Sequence, residues 1–317
     1  MVRRIVVLGA GISGVGTAVL AKKKGFNVFV SDKGIITDEN KAVLLYNEIE
    51  WEEKKHTPAR ILSADEVIKS PGIPDNVDLI QQLIAKEISV ISEIEFAFRY
   101  TKAKIAAITG SNGKTTTSLL LGHVLKSAGY DVLVAGNIGV GFAFSLAERD
   151  YDYIILELSS FQLDGIKEFR SEVAVLLNIT ADHLDRYNYK LENYAESKFR
   201  ITKNQTKQDV LIYNADDAMM ESLTSKAKKV PISLKNKQIE GGFYNNNQIT
   251  INLNNNTMTM QELALKGQHN IFNSMAAAMA ARVFEVKDTV IRQAMIDFQN
   301  IEHRLEHVLT VHGIDFI

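Results

Sequence analysis

Short apolar runs rich in β-branched residues alternate with helix-like patterns along most of the chain. This alternation is typical of βαβ units, which form parallel sheets covered by helices. In the first third of the chain we expect four buried strands, at Ile5–Leu8, Val28–Val30, Val67–Lys69 and Val90–Ser92. The pattern therefore predicts an α/β fold that begins with a parallel sheet.

A second series of strand-like runs starts after residue 103 and predicts a second, longer sheet with helices between most of its strands. Its strands are expected at Lys104–Ile108, Val132–Ala135, Ile154–Leu156, Val173–Leu177 and Val210–Tyr213. We place the domain boundary near Glu93–Lys104, which gives domains of residues 1–94 and 95–300. Residues 301–317 are then a linker and the first strand of a further domain.

The pattern changes in Gly241–Leu265, where apolar and polar positions alternate between clusters of asparagine. Asparagine tolerates left-handed backbone conformations, so we expect antiparallel hairpins at the flank of the second sheet. The alternative, a prion-like low-complexity segment, fits this regular alternation less well. An alanine-rich helix is predicted at Asn270–Phe284, and Asp288 is a candidate N-cap for a further helix to Phe298. The final residues, HVLTVHGIDFI, alternate like a strand.

Composition and charge limit the kinds of function that the chain could have. Of its 317 residues, 46% are hydrophobic and 23% charged, and the formal net charge is −2, so no overall basic field favours nucleic acid or an anionic membrane. The chain has no cysteine, which excludes disulfides, thiolate metal sites and cysteine nucleophiles. No apolar stretch approaches the roughly 18 residues of a membrane span. We therefore expect a cytoplasmic protein.

A glycine-rich turn follows the first predicted strand. Gly9, Gly11 and Gly14 form GAGISG between a strand and a helix, and Asp32 ends the next strand. Glycines let the backbone approach a phosphate closely, and a carboxylate at the second strand can accept a ribose hydroxyl. The motif alone leaves three interpretations open: a site for NAD or FAD, a Rossmann-like domain for another diphosphate nucleotide, and a glycine turn that only packs a helix on a sheet.

A second phosphate-binding loop follows the first strand of the second sheet. Residues 109–117 read TGSNGKTTT and lead into a helical segment. A strand, a glycine loop ending in GKT and a helix form a P-loop, in which Lys114 reaches the β and γ phosphates of a nucleotide and the Thr115 hydroxyl binds magnesium. Ile108 occupies the position of the first glycine of the common GxxxxGK[ST] pattern, and Gly110 comes later. The second domain is thus predicted to be a mixed-sheet domain of the P-loop ATPase type.

Polar residues end two further strands of this sheet. Glu157 closes a buried apolar run, where a carboxylate is costly to bury unless it binds a cation or has a polar partner. A magnesium ligand and a paired core glutamate are both possible, and we favour the first. His183 lies beside Asp182 and Asp185 after the next strand, where open α/β sheets bind ligands. It could serve a ligand site or be an ordinary surface or core histidine.

Taken together, these motifs resemble the ATP-dependent Mur ligases of peptidoglycan synthesis over essentially the whole chain. The motifs that match in order and spacing are TGSNGKTTT, Glu157, Asn178-x-x-x-Asp182-His183-Leu184-Asp185, Lys198, Gly267-Gln268-His269-Asn270 with Asn273, and His303-Arg304. Within the family, the GAGISG, Ser70-Pro71-Gly72-Ile73, Gly136-Asn137-Ile138-Gly139 and ELSSFQL segments look most like the members that add D-glutamate to UDP-N-acetylmuramoyl-L-alanine.

The resemblance implies an amide ligation in which ATP converts the L-alanine carboxylate into an acyl phosphate, which the D-glutamate amine then attacks. It also implies that the first domain holds UDP and not NAD. ATP is expected at Gly110, Asn112, Gly113, Lys114, Thr115, Thr116, Asn270 and Arg304. The UDP-sugar substrate is expected at Gly11, Ile12, Ser13, Asp32, Ser70, Gly72, Asn137, Ser159 and His183. The implied magnesium ligands are Thr115 and Glu157 for one ion, and His183 and Lys198 for a second.

Three of these assignments have a simpler alternative. Lys198 is carbamylated in the family, which turns a cation into an oxygen ligand, whereas its spacing alone indicates a solvated surface lysine. Asn270 could cap the helix that follows it, and Arg304 could form a salt bridge at a hinge. A structure in which Lys198 lies far from His183 would contradict the carbamate assignment.

Family members carry a third domain that binds the incoming amino acid, and the chain ends where that domain would begin. We therefore expect this chain to bind substrate and nucleotide, with the D-glutamate site on the missing domain and little ligase activity. Competing interpretations are another Mur-type ligase or a folylpolyglutamate synthetase, an NAD-binding oxidoreductase, and a non-catalytic nucleotide-binding module. We expect a monomer.

Overall fold

The computed structural model describes residues 2–299 and, further on, the backbone of residues 309–311 and 314–316. The first sheet contains β1 (Arg4–Leu8), β2 (Asn27–Ser31), β3 (Glu50–Glu52), β4 (Glu66–Lys69) and β5 (Ser89–Ile91). All five strands are parallel, in the order β3-β2-β1-β4-β5. The accompanying helices are α1 (Ile12–Lys23), α2 (Asp38–Tyr46), α3 (Pro58–Ile61), α4 (Asp78–Ala85) and α5 (Glu93–Phe98).

The second sheet has nine strands. These are β6 (Lys104–Thr109), β7 (Val132–Gly136), β8 (Tyr153–Glu157), β9 (Val173–Leu176), β10 (Val210–Asn214), β11 (Lys228–Ser233), β12 (Gly241–Asn245), β13 (Gln248–Leu253) and β14 (Asn256–Met260). Their order is β14-β13-β12-β11-β10-β9-β6-β8-β7, and the two antiparallel pairs among these strands are β12–β13 and β13–β14. The α/β class, the parallel first sheet and the mixed second sheet are thus confirmed.

Helices and short 3₁₀ turns connect the strands of the second sheet. The helices are α6 (Lys114–Ser127), α7 (Phe142–Glu148), α8 (Ser160–Asp164), α9 (Leu191–Phe199), α10 (Gln268–Val283) and α11 (Asp288–Asp297). Two short antiparallel strands, β15 (Leu309–Val311) and β16 (Ile314–Phe316), lie near the end of the chain, where a strand was predicted. No helix in the described part of the chain is long and apolar enough to cross a bilayer.

Strand order places both glycine loops at switch points of their sheets. In the first sheet the chain runs outward from β1 to β2 and β3, then returns to β4 on the other side of β1. In the second sheet β6 lies between β8 and β9. Loops that leave neighbouring strands in opposite directions open a crevice at the carboxyl ends of those strands, which is where α/β proteins bind ligands.

Alternate residues of β6 enter different hydrophobic cores. Ile105 and Ala107 join a core that also contains Val7 of the first sheet, whereas Ala106 and Ile108 pack with α6, α10 and α11 on the opposite face. Burial on both faces explains why residues 105–108 of this strand are all apolar. Gly16 lets α1 pack closely on α7, since a Cβ atom there would lie 2.8 Å from Cβ of Phe144.

Local departures from the predicted elements have simple causes. Strands β3 and β11 were not predicted: β3 has only three residues, and β11 carries a proline at position 231. Asp288 is the first residue of α11 and not its N-cap, which is Lys287, and its carboxylate pairs with Arg282 (Nε–Oδ1 3.1 Å). The division into residues 1–94, 95–300 and 301–317 stays a prediction.

The predicted asparagine hairpins are confirmed, and their turns have the backbone conformation that asparagine tolerates. Asn246 and Asn247 join β12 to β13 with φ of 49° and 56°. Asn254 and Asn255 join β13 to β14 with φ of 53° and 61°. Two left-handed residues in succession match the right-handed twist of the flanking strands, so the asparagines fix the register of both hairpins.

Two glycines with positive φ should respond differently to replacement by alanine. Gly129 (φ 88°) ends α6 in open space, whereas a Cβ atom at Gly136 (φ 105°) would clash with the carbonyl of Glu157. Gly129→Ala should cost about 1 kcal/mol of unfolding free energy through backbone strain alone, and Gly136→Ala at least about 2 kcal/mol. Urea unfolding of both variants measures the difference, and equal losses would show that the approach to Glu157 is unimportant.

Candidate functional site

The P-loop between β6 and α6 is held open by glycine conformations and by the loop after β9. Gly110 (φ 153°) and Gly113 (φ 84°) adopt conformations that other residues rarely take. Asn178 accepts from the backbone N–H groups of Ser111 and Asn112, through its carbonyl (2.9 Å) and its side-chain oxygen (2.8 Å). The loop is therefore fixed in a shape that presents its remaining N–H groups to an anion.

Lys114 and Lys198 converge on one backbone carbonyl of this loop. The Nζ atom of Lys114 donates to the carbonyls of Gly110 and Ser111, both at 2.9 Å. The Nζ atom of Lys198 donates to the same Gly110 carbonyl at 2.9 Å and lies 4.5 Å from the ring centroid of Tyr194. Lys198 is only 1% exposed, so the interpretation as a solvated surface lysine is wrong.

Burial lowers the pKa of both lysines, and repulsion from Lys114 lowers that of Lys198 further. Burial, and then the neighbouring Lys114, lower the pKa of Lys198 to about 7. Burial also lowers the pKa of Lys114, although Glu157 and Asp182 oppose the shift. A substantial share of Lys198 is therefore the neutral amine at neutral pH.

Thr115, Glu157 and Asn137 form a connected group beside the P-loop. The Thr115 hydroxyl donates to Oε2 of Glu157 (2.8 Å), and Nδ2 of Asn137 donates to Oε1 (3.1 Å). Glu157 is 1% exposed and forms no ion pair with a described residue. A buried carboxylate held only by neutral donors can accept a cation, so Thr115 and Glu157 suit magnesium.

The described residues do not provide a complete magnesium shell. Among them, no group of three or more histidine, aspartate or glutamate side chains is close enough to hold an ion. Magnesium prefers six oxygen ligands and commonly retains several waters beside one or two carboxylates and substrate phosphates. The Thr115 and Glu157 pair fits that mode of binding.

His183 lies on a strained loop. Three residues of this loop are left-handed without being glycine: His183 (φ 50°), Asn188 (φ 56°) and Tyr189 (φ 57°). The His183 ring lies 5.3 Å from that of Phe161, and its Nε2 is 3.6 Å from Oδ2 of Asp182. Strain of this kind concentrates at functional sites.

No hydrogen bond or ion pair among the described residues joins His183 to Lys198. Asp182, adjacent to His183, favours the charged form of both Lys114 and Lys198 and so lies near the two ammonium groups. The role of His183 at a second magnesium ion stays a prediction.

The predicted UDP residues gather at the switch point of the first sheet. The Asp32 carboxylate accepts from the N–H of Ala10 (2.6 Å) and from that of Gly34 (2.7 Å), so it shapes the glycine loop. A Cβ atom at Gly9 would clash with the Ser70 side chain, which places the loops after β1 and β4 side by side. The other residues predicted here are Gly11 and Ile12, both exposed, half-buried Ser13, and exposed Gly72.

The remaining predicted residues have structural contacts of their own. Ser159 caps α8 and exchanges hydrogen bonds with Gln162. Asn270 lies in the first turn of α10, whose N-cap is Gly267, so it does not cap that helix; its Nδ2 donates to the carbonyl of Lys266 (2.9 Å). Thr116 follows Thr115 in the first turn of α6 and is half-buried. Arg304 lies outside the described residues.

Two asparagines that the sequence predicted only as members of family motifs shape the P-loop. Asn178 pins the loop, as described above. Asn273, 6% exposed on α10, lies so close to Gly113 that a Cβ atom there would clash with its Oδ1. Two features of the sequence could have indicated these roles: Asn273 interrupts an alanine-rich helix, and Asn178 directly follows an apolar strand.

Comparison with known proteins identifies the family. The model of the Mur ligase middle domain matches residues 108–281, and that of the MurD N-terminal domain matches residues 4–79. A UDP-N-acetylmuramoylalanine--D-glutamate ligase of Christiangramia forsetii is 50% identical over 323 residues, covering 100% of this chain and 73% of the relative. The enzyme of that name from Bacteroides fragilis is also 50% identical, covering 99% of this chain and 72% of the relative.

Solved structures show the same fold. The murein peptide ligase MPL from Neisseria meningitides superposes with a TM-score of 0.67 at 18% identity, covering 96% of this chain and 100% of that chain. A MurC ligase from Thermotoga maritima gives a TM-score of 0.58 at 18% identity, covering 98% of this chain and 72% of the other. With the matches above, these findings show that the chain belongs to the Mur ligase family.

Replacing Lys198 should change how stability depends on pH. Because its pKa is about 7 when folded and about 10.5 when unfolded, the unfolded state binds more protons between those values. The free energy of unfolding of the wild type should therefore rise with pH across that window, by a few kcal/mol relative to that of Lys198→Met. Below about pH 7, Lys198 is charged in both states, and the cost of burying its charge is present in full. Urea unfolding in CO₂-free buffer from about pH 7 to about pH 10 measures this, and parallel curves would contradict the lowered pKa.

Proposed function

We propose that this chain is the substrate- and nucleotide-binding part of an ATP-dependent ligase that joins D-glutamate to UDP-N-acetylmuramoyl-L-alanine. One structural observation carries the proposal: Lys114 and buried Lys198 both donate to the Gly110 carbonyl of the P-loop, and the Thr115 hydroxyl that follows the loop donates to buried Glu157. The relatives that match along the whole chain are named for this reaction.

In the proposed reaction, the L-alanine carboxylate attacks the γ phosphorus of ATP, and the bond from that phosphorus to ADP breaks. The resulting acyl phosphate then reacts with the D-glutamate amine, which forms the amide and releases phosphate and a proton. Activation is needed because a carboxylate is a poor electrophile. The transferring phosphoryl group requires positioning and positive charge more than covalent help.

The chain's own residues provide that positioning. The P-loop N–H groups and Lys114 would hold the phosphates, and Lys114 would leave the Gly110 and Ser111 carbonyls to do so. Thr115 and Glu157 would hold magnesium, which neutralises charge on the phosphates when bound. Asn137 keeps Glu157 oriented through their hydrogen bond.

Lys198 would act as a carbamate and not as a cation. Its neutral amine attacks CO₂, forming a C–N bond and releasing one proton, and the product carries an anionic oxygen pair. The lowered pKa makes the required neutral amine available at neutral pH. An anion here would relieve the repulsion between two lysines and, with His183, supply ligands for a second magnesium ion.

The first sheet would hold the UDP group of the substrate. The loops after β1 and β4 are adjacent, and Asp32 fixes the first of them. A match to the MurD N-terminal domain over residues 4–79 favours UDP over NAD at this loop. The cytoplasmic, monomeric state and the absence of nucleic-acid or membrane partners stay predictions.

Calorimetric titration tests the proposed substrate. The chain should bind UDP-N-acetylmuramoyl-L-alanine more tightly than UDP-N-acetylglucosamine, and NAD should give no heat. Asp32→Asn should weaken binding by about tenfold, because the amide keeps only one acceptor for the N–H groups of Ala10 and Gly34. Asp65→Asn is a matched control, since Asp65 accepts from the backbone N–H of Arg4 (2.6 Å) at the other end of β1. Binding of NAD alone would overturn the proposal.

A further inference from the structure

A buried glutamate links the two loops that would hold the substrate. Glu93 is the first residue of α5, in the segment between the two sheets, and is 4% exposed. Its Oε1 accepts from the N–H of Ala143 (3.0 Å) in the first turn of α7. A Cβ atom at Gly141 would lie 3.5 Å from this Oε1 and 3.4 Å from Cγ2 of Ile12. The loop after β1, the loop after β7 and Glu93 therefore meet here.

The second carboxyl oxygen of Glu93 lacks a hydrogen-bond partner. Oε2 is fully buried and forms no hydrogen bond, although the Ser13 hydroxyl and the backbone N–H of Phe142 are close enough to the carboxyl to lower its pKa. Burial outweighs those contributions and raises the pKa of Glu93. An unpaired carboxylate oxygen is costly to bury, so the geometry favours the neutral acid, whose Oε2–H needs an acceptor.

Ser13 can meet that need by rotating its side chain. Its backbone is fixed, because the Thr17 hydroxyl donates to the Ser13 carbonyl (2.7 Å). A hydroxyl has one hydrogen and can also accept, so a Ser13 oxygen that accepts from Glu93 directs its own hydrogen elsewhere. Gly11 and Ile12, next to Ser13, are exposed at the crevice, where a diphosphate would receive that hydrogen.

We infer that Glu93 is a positioning residue of the substrate site: as a neutral acid it accepts from Ala143 and donates to Ser13, so that the Ser13 hydroxyl donates to the diphosphate. The inference rests on the proposed function. Glu93 also connects the loop after β1, which would hold UDP, to the loop after β7. The loop after β7 carries Asn137, the hydrogen-bond partner of Glu157. Substrate binding and the magnesium ligand would thereby share one rigid junction.

Glu95, two residues further on, provides a matched control. It is equally buried, but its two oxygens accept from three backbone N–H groups, those of Lys167, Glu168 and Phe169, at 2.8–3.0 Å. Both of its oxygens are thus acceptors, whereas Glu93 needs one acceptor and one donor. Glutamine supplies one of each, so it should suit position 93 and disturb position 95.

The test is calorimetric titration of the chain with UDP-N-acetylmuramoyl-L-alanine, combined with urea unfolding of each variant. Glu93→Gln should bind within about twofold of wild type, and Glu93→Met, which fills the space without hydrogen bonds, should bind about fivefold to tenfold more weakly. Glu95→Gln should lose stability and keep its affinity. Ser13→Ala should bind as weakly as Glu93→Met, and the double variant should lose nothing more.

The possible outcomes separate this inference from the proposed function. Wild type that fails to bind the substrate would overturn both. Wild type that binds while Glu93→Met binds equally well would overturn the inference alone. Equal losses in Glu93→Gln and Glu93→Met would exclude the neutral acid, and additive losses in the double variant would exclude action through Ser13.

Discussion

Two lysine side chains donate to one backbone carbonyl, and the organisation of the nucleotide site depends on this contact. The Gly110 oxygen accepts from Lys114 and Lys198 at 2.9 Å each, in a place where Lys198 is almost fully buried. Two ammonium groups so close together repel each other, and the repulsion adds to the cost of burial. The site is therefore short of negative charge, which a nucleotide phosphate and a carbamate on Lys198 would both supply.

The framework that creates this contact is the topology of the second sheet. Because β6 lies between β8 and β9, the P-loop, Glu157 and the Asn178 loop reach the same crevice from three adjacent strands. The first sheet repeats the arrangement with the loops after β1 and β4. Two features hold the two crevices next to each other: a hydrophobic core shared by both sheets, and Glu93 in the connecting segment.

The sequence predicted those parts of the molecule that are imposed by local chemistry. The glycine loops were recognisable because tight turns need glycine, and the asparagine hairpins because left-handed turns tolerate asparagine. Lys198 could be assigned only through the family resemblance, because polar residues surround it in the helix and its burial depends on contacts distant in the chain. Glu93 and Glu95 were missed for the same reason: in SEIEFAF nothing local distinguishes a buried glutamate from an exposed one.

The claim that the nucleotide site lacks negative charge is tested most directly by detecting the carbamate on Lys198. In ¹³C-bicarbonate, the wild-type chain should show one carbamate carbon resonance by NMR, and Lys198→Arg, which keeps the positive charge but cannot form the adduct, should show none. The resonance should strengthen when Mg²⁺ and ATP are added, since they bind the anionic form. Absence of the resonance from the wild type, or its persistence in Lys198→Arg, would contradict the assignment of Lys198 as the site's missing anion.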